Sequence, residues 1–235
     1  MRFPLLTLAL APLAAAHFLL QYPTSRGFDE DIMPDFPCGG MSQSSNRTQL
    51  PISGSFPVAL KMGHVQSAVE ILLALGSNPG DNYNITLVQT FQVDGLGEFC
   101  LPHVEFSASA LGVNITDGMN ATLQVQTNGD PSGGLYACAD VQFSSSVMYS
   151  QPSSCSNNTN VVASAFPSAA AQRNANESTS TGGAQGSSSD SSSTTSTTST
   201  STSTSTSTSQ GAAVALQTAA WGLLGVAFAG GMAVL

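Results

Sequence analysis

Three histidines, His17, His64 and His103, supply every imidazole in the chain, and one of them follows directly on an Ala-x-Ala. The stretch is AAAHFLL, residues 14–20. If a peptidase cuts behind Ala16, His17 becomes N-terminal and its α-amine is freed, with a pKa of about 8 that a metal easily overrides. Amine and Nδ1 of one residue can then close a chelate ring on the same ion, and a second imidazole adds a third nitrogen. Nitrogen donors in a tetragonal array suit Cu(II), which heads the divalent affinity order. This donor set is a histidine brace. His64, in LKMGHVQSAVE, is the candidate second imidazole, and Gly63 before it gives the backbone local freedom. Asp140, in CADV, is the candidate carboxylate; on a strand it shares a face with Cys138.

Each of these residues also has an ordinary reading. His64 is equally an unremarkable strand-end histidine, and Asp140 a solvent-facing strand carboxylate. His103 follows Pro102 between strand signals and reads as a surface residue. Met33, Met41 and Met62 offer thioethers suited to Cu(I), but methionines mostly pack. Other chemistry has no home: the chain contains no G-x-S-x-G, no H-E-x-x-H, no G-x-x-x-x-G-K and no C-x-x-C.

The cut itself is legible. Residues 1–16, MRFPLLTLALAPLAAA, carry one positive charge, an apolar run and small residues at the end, which is the pattern of a secretory signal peptide. Six Asn-x-Ser/Thr sequons, at Asn46, Asn84, Asn114, Asn120, Asn157 and Asn176, agree with passage through the secretory pathway as N-glycosylation sites. From Ser178 to Ser209, 26 of 32 residues are Ser or Thr, so the segment has too little apolar surface to offset its ordering entropy. It reads as an O-glycosylated stalk. The uncharged stretch Ala219–Leu235 follows, and no Lys or Arg occurs after Arg173. Small residues, a spacer and an apolar tail fit a GPI-anchor signal, with Ser209 or Gly211 as the attachment residue. The expected division is therefore a signal peptide over 1–16, a globular domain over 17–160, a Ser/Thr-rich stalk over 161–210 and a removed anchor signal over 211–235.

Fourteen acidic residues against five basic ones give a net charge of −9. In 17–160 only Arg26, Arg47 and Lys61 are fixed cations, which excludes nucleic acid and anionic lipid as partners, since phosphate binding needs clustered Lys and Arg. A membrane is reached only through the lipid anchor. Four cysteines, Cys38, Cys100, Cys138 and Cys155, lie in the domain and imply two disulfides in an oxidising compartment. Three pairings are open and the sequence selects none; the pairing favoured is Cys38–Cys138 with Cys100–Cys155.

The elements that must hold these residues are strands. SFPVAL (55–60) contains a proline and reads as an edge strand. SAVEILLALG (67–76) is a short, β-branched apolar run, and NITLVQTFQV (84–93), CLPHVEFSAS (100–109), NATLQVQTN (120–128) and LYACADVQFSS (135–145) follow. Turn chemistry, including GSNPGDN and NGDPSGG, separates them. The expectation is an all-β fold: an antiparallel immunoglobulin- or fibronectin-like β-sandwich with long loops, followed by the disordered stalk.

HFLLQYPTSRGFDED with FPCGG, then GHVQSAVEILLALG, GEFCLP and NATLQVQTNGDPSGGLYACADV, together resemble the fungal Bim-type copper-acquisition proteins over about residues 17–145. These are similar in fold to lytic polysaccharide monooxygenases. The resemblance implies His17, His64 and Asp140 as copper ligands and a role in copper uptake or homeostasis, with little or no polysaccharide oxidation. It places the protein on the outer face of the plasma membrane or in the cell wall, beside a membrane copper transporter. The competing function is a copper-dependent monooxygenase acting on cell-wall glycan. Against it, the domain lacks tryptophan, since Trp221 lies in the tail, and its tyrosines (Tyr22, Tyr83, Tyr136, Tyr149) are too few for a flat aromatic platform.

Overall fold

The computed structural model describes residues 17–186. The expected signal peptide, the attachment residues Ser209 and Gly211, the apolar tail and most of the Ser/Thr tract lie outside the described residues.

Two sheets face each other across one hydrophobic core. The smaller joins β1 (Phe18–Tyr22), β3 (Gly54–Met62) and β6 (Gly97–Phe106) in the order β1-β3-β6. The larger joins β2 (Thr48–Pro51), β4 (Gln66–Leu75), β5 (Ile85–Asp94), β7 (Asn120–Asn128), β8 (Gly134–Ser144) and β9 (Val162–Ala165) in the order β2-β8-β7-β4-β5-β9. The all-β sandwich read from the sequence is the fold. One pair departs from antiparallel: β2 runs parallel to β8. The chain before β2 is a long loop, 23–47, and a long connection can return a strand in the same direction where a hairpin cannot. Ser25 bridges Ala139 on β8, and β2 pairs with β8 further along, from Val141 to Ser144.

Pro57 does not mark an edge. β3 is the middle strand of its sheet, and the register against β6 shifts between Phe56 and Val58. The irregularity takes up the proline, which has no N–H to give the ladder. The strand expected over 100–109 stops at Phe106, because the Ser107 hydroxyl accepts the amide of Ala110 and caps a short helix, α1 (Ala108–Leu111).

Strand alternation sorts the larger sheet into two faces. Val69, Ile71 and Leu73 of β4 join Leu123, Val125, Val141 and Phe143 in the core against Phe56, Leu60 and Phe99 of the smaller sheet. The alternate positions Glu70, Thr122, Gln124, Gln126, Cys138 and Asp140 face the other way, and all are buried. Polar residues survive there because a third layer covers them.

Half of that layer is loop 23–47, fastened by the Cys38–Cys138 disulfide. Gly39 in it has φ +62, and a Cβ there would sit 2.6 Å from the carbonyl oxygen of Tyr136 on β8. Only glycine permits both. The other disulfide is Cys100–Cys155, so the favoured pairing is the one formed. The other half of the layer is the segment after 160. β9 pairs with β5, helix α2 (Ser168–Ala171) follows, and Ala175–Glu177 form a 3-10 turn. Phe166 and Ala175 pack on Ala68. Thr90 donates to the carbonyl of Arg173 at 2.6 Å, and a Glu70 oxygen accepts the amide of Ala175 at 3.0 Å. The packed structure thus continues past the boundary expected at 160, through the described residues to 186. The apolar run in β4 has the same explanation, since both faces of that strand are covered.

Candidate metal centre

β1 and β3 bring two histidines to one end of the smaller sheet. Phe18 pairs with Met62, and the next step of the ladder is the amide of Gly63 donating to the carbonyl of His17 at 2.9 Å. His17 therefore enters β1 opposite the residue that leads out of β3 into His64. The spacing of 47 residues in the sequence vanishes in this one hydrogen bond.

Each imidazole is held by a backbone carbonyl through a different nitrogen. His17 Nε2 lies 3.1 Å from the carbonyl oxygen of Glu30, in loop 23–47. An N–H donated there leaves Nδ1 with its lone pair, and His17 Nδ1 is buried with no hydrogen-bond partner. His64 Nδ1 lies 2.8 Å from the carbonyl of Gln66, which leaves Nε2 with the lone pair. That Nε2 lies 3.9 Å from a carboxylate oxygen of Asp130. Backbone partners on the far nitrogen fix the tautomer and aim of metal-binding histidines. A brace requires Nδ1 of the terminal residue beside the amine, and His17 Nδ1 is the nitrogen left unpartnered. The donors present fit a copper ion on that observation.

Asp130 occupies the loop Gly129–Gly133 between β7 and β8, which closes through the amide of Gly129 on the carbonyl of Gly133 at 2.9 Å. Its carboxylate is half exposed. The antiparallel pairing of β4 with β7 sets this loop beside the start of β4, where His64 stands. Sequence reasoning took NGDPSGG only as a turn; the missed signal was that the strand before it pairs with the strand behind His64.

Asp140 does not join the histidines. It lies on the covered face of β8, its side chain closed to solvent. Arg26 grips it with two nitrogens, Nη2 on Oδ1 at 2.8 Å and Nε on Oδ2 at 2.9 Å. The Thr122 hydroxyl donates to Oδ1 at 2.9 Å and the Ser44 amide to Oδ2 at 2.7 Å, while Arg47 stands 3.8 Å away. Burial alone would push this carboxyl up, but the bonds from Arg26, Ser44 and Thr122 hold it below its usual range. An ion binding Asp140 would have to displace a guanidinium from a buried pair whose disruption costs about 3–5 kcal/mol. Asp140, expected as a ligand, is engaged by Arg26, and the carboxylate that stands beside His64 is Asp130.

The remaining candidates lie elsewhere. His103 accepts from or donates to the Ser55 hydroxyl at 3.0 Å and stacks on Tyr149 at 4.6 Å on the surface. Met33 and Met62 are core residues. Among the described residues no group of three His, Cys, Asp or Glu side chains forms a ready metal cluster. The three nitrogens of a brace take only two imidazoles, because a main-chain amine supplies the third.

The family model of the BIM1-like copper acquisition factor domain matches residues 15–160, more than half of the chain. The chain belongs to the BIM1-like copper acquisition factor family. It is 64% identical over 238 residues to an uncharacterised protein of Aspergillus fumigatus, covering 99% of this chain and 98% of that protein. It is 37% identical over 151 residues to the copper acquisition factor BIM1 of Cryptococcus neoformans, covering 60% of this chain and 66% of that one. The lytic polysaccharide monooxygenase-like protein ham-7 of Neurospora crassa is 32% identical over 182 residues, covering 67% of this chain and 78% of that protein. Membership of this family makes the chain a copper-related protein.

Proposed function

We propose that the protein captures copper as Cu(II) outside the cell and passes it to uptake machinery at the plasma membrane. The copper is cargo. Its donors are the α-amine and Nδ1 of a cleaved His17, Nε2 of His64 and the carboxylate of Asp130. One observation carries this reading: two histidines, each held through its outward nitrogen, leave complementary lone pairs, and the buried one on His17 has no partner. A carboxylate next to neutral nitrogens favours the doubly charged ion over Cu(I). The signal peptide, stalk and lipid anchor read from the sequence put the site at the cell surface, within reach of a transporter.

The test is intact mass and copper EPR on protein secreted by a fungal host. The expected result is a chain beginning at His17 that binds one Cu(II) with nitrogen hyperfine structure. Tight one-to-one binding that survives both His17→Ala and His64→Ala would sink the brace.

A second reading is copper-dependent oxidation of cell-wall glycan. Phe28 favours it: the ring is exposed and stands edge-on to His17 at 6.4 Å, where a sugar would pass. Oxidised oligosaccharides released from chitin or glucan, given copper and a reductant, would establish that activity.

A further inference from the structure

The loop that carries Asp130 and the turn that carries His64 are separated by 66 residues, yet one short stretch of chain holds both. That stretch is 178–186, beyond the reach of the family match. Gln185 clamps Gly133 with both ends of its amide: Oε1 accepts the Gly133 amide at 2.6 Å, and Nε2 donates to the Gly133 carbonyl at 2.8 Å. The same Nε2 donates to the carbonyl of Ser178 at 2.8 Å, so the clamp is itself braced from its own segment. Gly133 has φ +85, in the left-handed region, and its carbonyl closes the Asp130 loop onto Gly129. On the other side, the Ser180 hydroxyl donates to Oε1 of Gln66 at 3.3 Å. Gln66 is the residue whose carbonyl orients His64, and its Nε2 is tied to Asp94 at 2.8 Å.

We infer that Gln185 is a positioning residue for the metal centre: the segment 178–186 sets the separation of Asp130 from His64 by clamping one loop and steadying the other. This rests on the copper reading above and deepens it. A two-point amide clamp on a five-residue loop removes that loop's freedom to swing its carboxylate away. Without the clamp the closure of Gly129 on Gly133 remains, and the loop is tied to β4 at its base, by the hydrogen bond of Ala68 N to Asn128 Oδ1 and the pairing of Val69 with Thr127.

The chemistry of the clamp suggests a graded test. Gln185→Ala removes both bonds to Gly133 and the one to Ser178. Gln185→Glu keeps an acceptor for the Gly133 amide and loses the donor to the carbonyls of Gly133 and Ser178. Gln172→Ala, an exposed change with no side-chain hydrogen bond, is the control. Secreted full-length proteins are loaded with copper alone. The expected result for Gln185→Ala is a ~10-fold weaker Cu(II) affinity, the usual scale for losing an outer partner of a ligand, with an altered EPR spectrum. Gln185→Glu falls between, and Gln172→Ala matches the parent. A metal-free readout accompanies this: in hydrogen exchange of the apo protein, the Gly133 amide loses protection in Gln185→Ala while strand amides of β7 and β8 keep theirs. If the parent loads copper and Gln185→Ala gives the same affinity and spectrum, the clamp has no positioning role. If neither protein takes up copper, the copper reading fails and this role fails with it.

Discussion

Arg26 and Asp140 form a two-pronged ion pair on the covered face of β8, with the Asp140 side chain closed to solvent. The carboxylate that stands by His64 is Asp130, ten positions earlier. These two aspartates should therefore answer differently to the same change. Asp130→Ala should leave thermal stability near that of the parent and weaken Cu(II) binding by more than the ~10-fold typical of a supporting partner. Asp140→Ala strands Arg26 in a buried site and should destabilise by about 3–5 kcal/mol. Denaturant titration beside copper titration separates the two; a stable Asp140→Ala that loses copper would restore Asp140 as the ligand.

Chain processing gives the second prediction. One residue added ahead of His17 turns its amine into a peptide amide, which lacks the free amine the chelate requires. Such a protein should fold normally, since the amide of Gly63 pairs with the His17 carbonyl and not with its nitrogen. Its copper EPR should lose the brace signature, and protease removal of the extra residue should bring it back.

Loop 23–47 links a disulfide to the metal centre. Cys38–Cys138 spans 100 residues, and the loop it fastens supplies the Glu30 carbonyl that orients His17. Replacing both cysteines by serine should lower stability by about 2–5 kcal/mol. Copper affinity should fall as well, while the matching change at Cys100 and Cys155, a bridge that does not fasten that loop, should affect stability alone. Calorimetry with parallel copper titrations checks both halves.

The buried carboxyl of Glu70 predicts a pH dependence. Burial pushes it above its ordinary value of 4.5, reinforced by Glu177, while the Ala175 amide and Gln126 pull the other way. A carboxyl with a raised folded pKa binds more protons folded than unfolded, so its contribution is full below about 4.5 and is lost as pH climbs through the folded value. Glu70→Gln keeps an acceptor for the Ala175 amide and removes the charge. Its melting temperature should therefore decline less between pH 4 and pH 8. Equal slopes for the two proteins would show that Glu70 titrates normally.

Glycan mapping tests the sequons one by one. Asn46, Asn84 and Asn114 are exposed. Asn176 instead donates from its side-chain nitrogen to the Tyr136 hydroxyl at 3.0 Å, and its Oδ1 is buried. Peptide mass mapping of the secreted protein should find glycans on the first three and a bare Asn176.

The sequence revealed the strands because their alternation and turns are local. SAVEILLALG became β4 and the two disulfides paired as favoured. It misplaced Pro57 because an irregularity that absorbs a proline looks, in one dimension, like an edge. It chose Asp140 by a sound local rule, since Cys138 and Asp140 do share a face; what hides that face is Arg26, 114 residues away. Asp130 was passed over because a turn's sequence does not say what its tip will meet. Residues 161–186 read as stalk because small residues, Ala, Ser, Gly and Thr, make up most of them. Their order comes from a few anchors, Phe166, Ala175 and Gln185, whose partners lie in distant strands.

β9 has four residues, Val162–Ala165, all exposed, so it adds almost no buried surface. Its value lies in what it prevents. It occupies the outer edge of β5 from Phe91 to Asp94, a row of amides and carbonyls that would otherwise stand open. An open edge invites a strand from another molecule. A chain ended at residue 160 would retain both histidines and Asp130 and still be prone to join sheet edge to sheet edge, trading a monomer for a growing assembly.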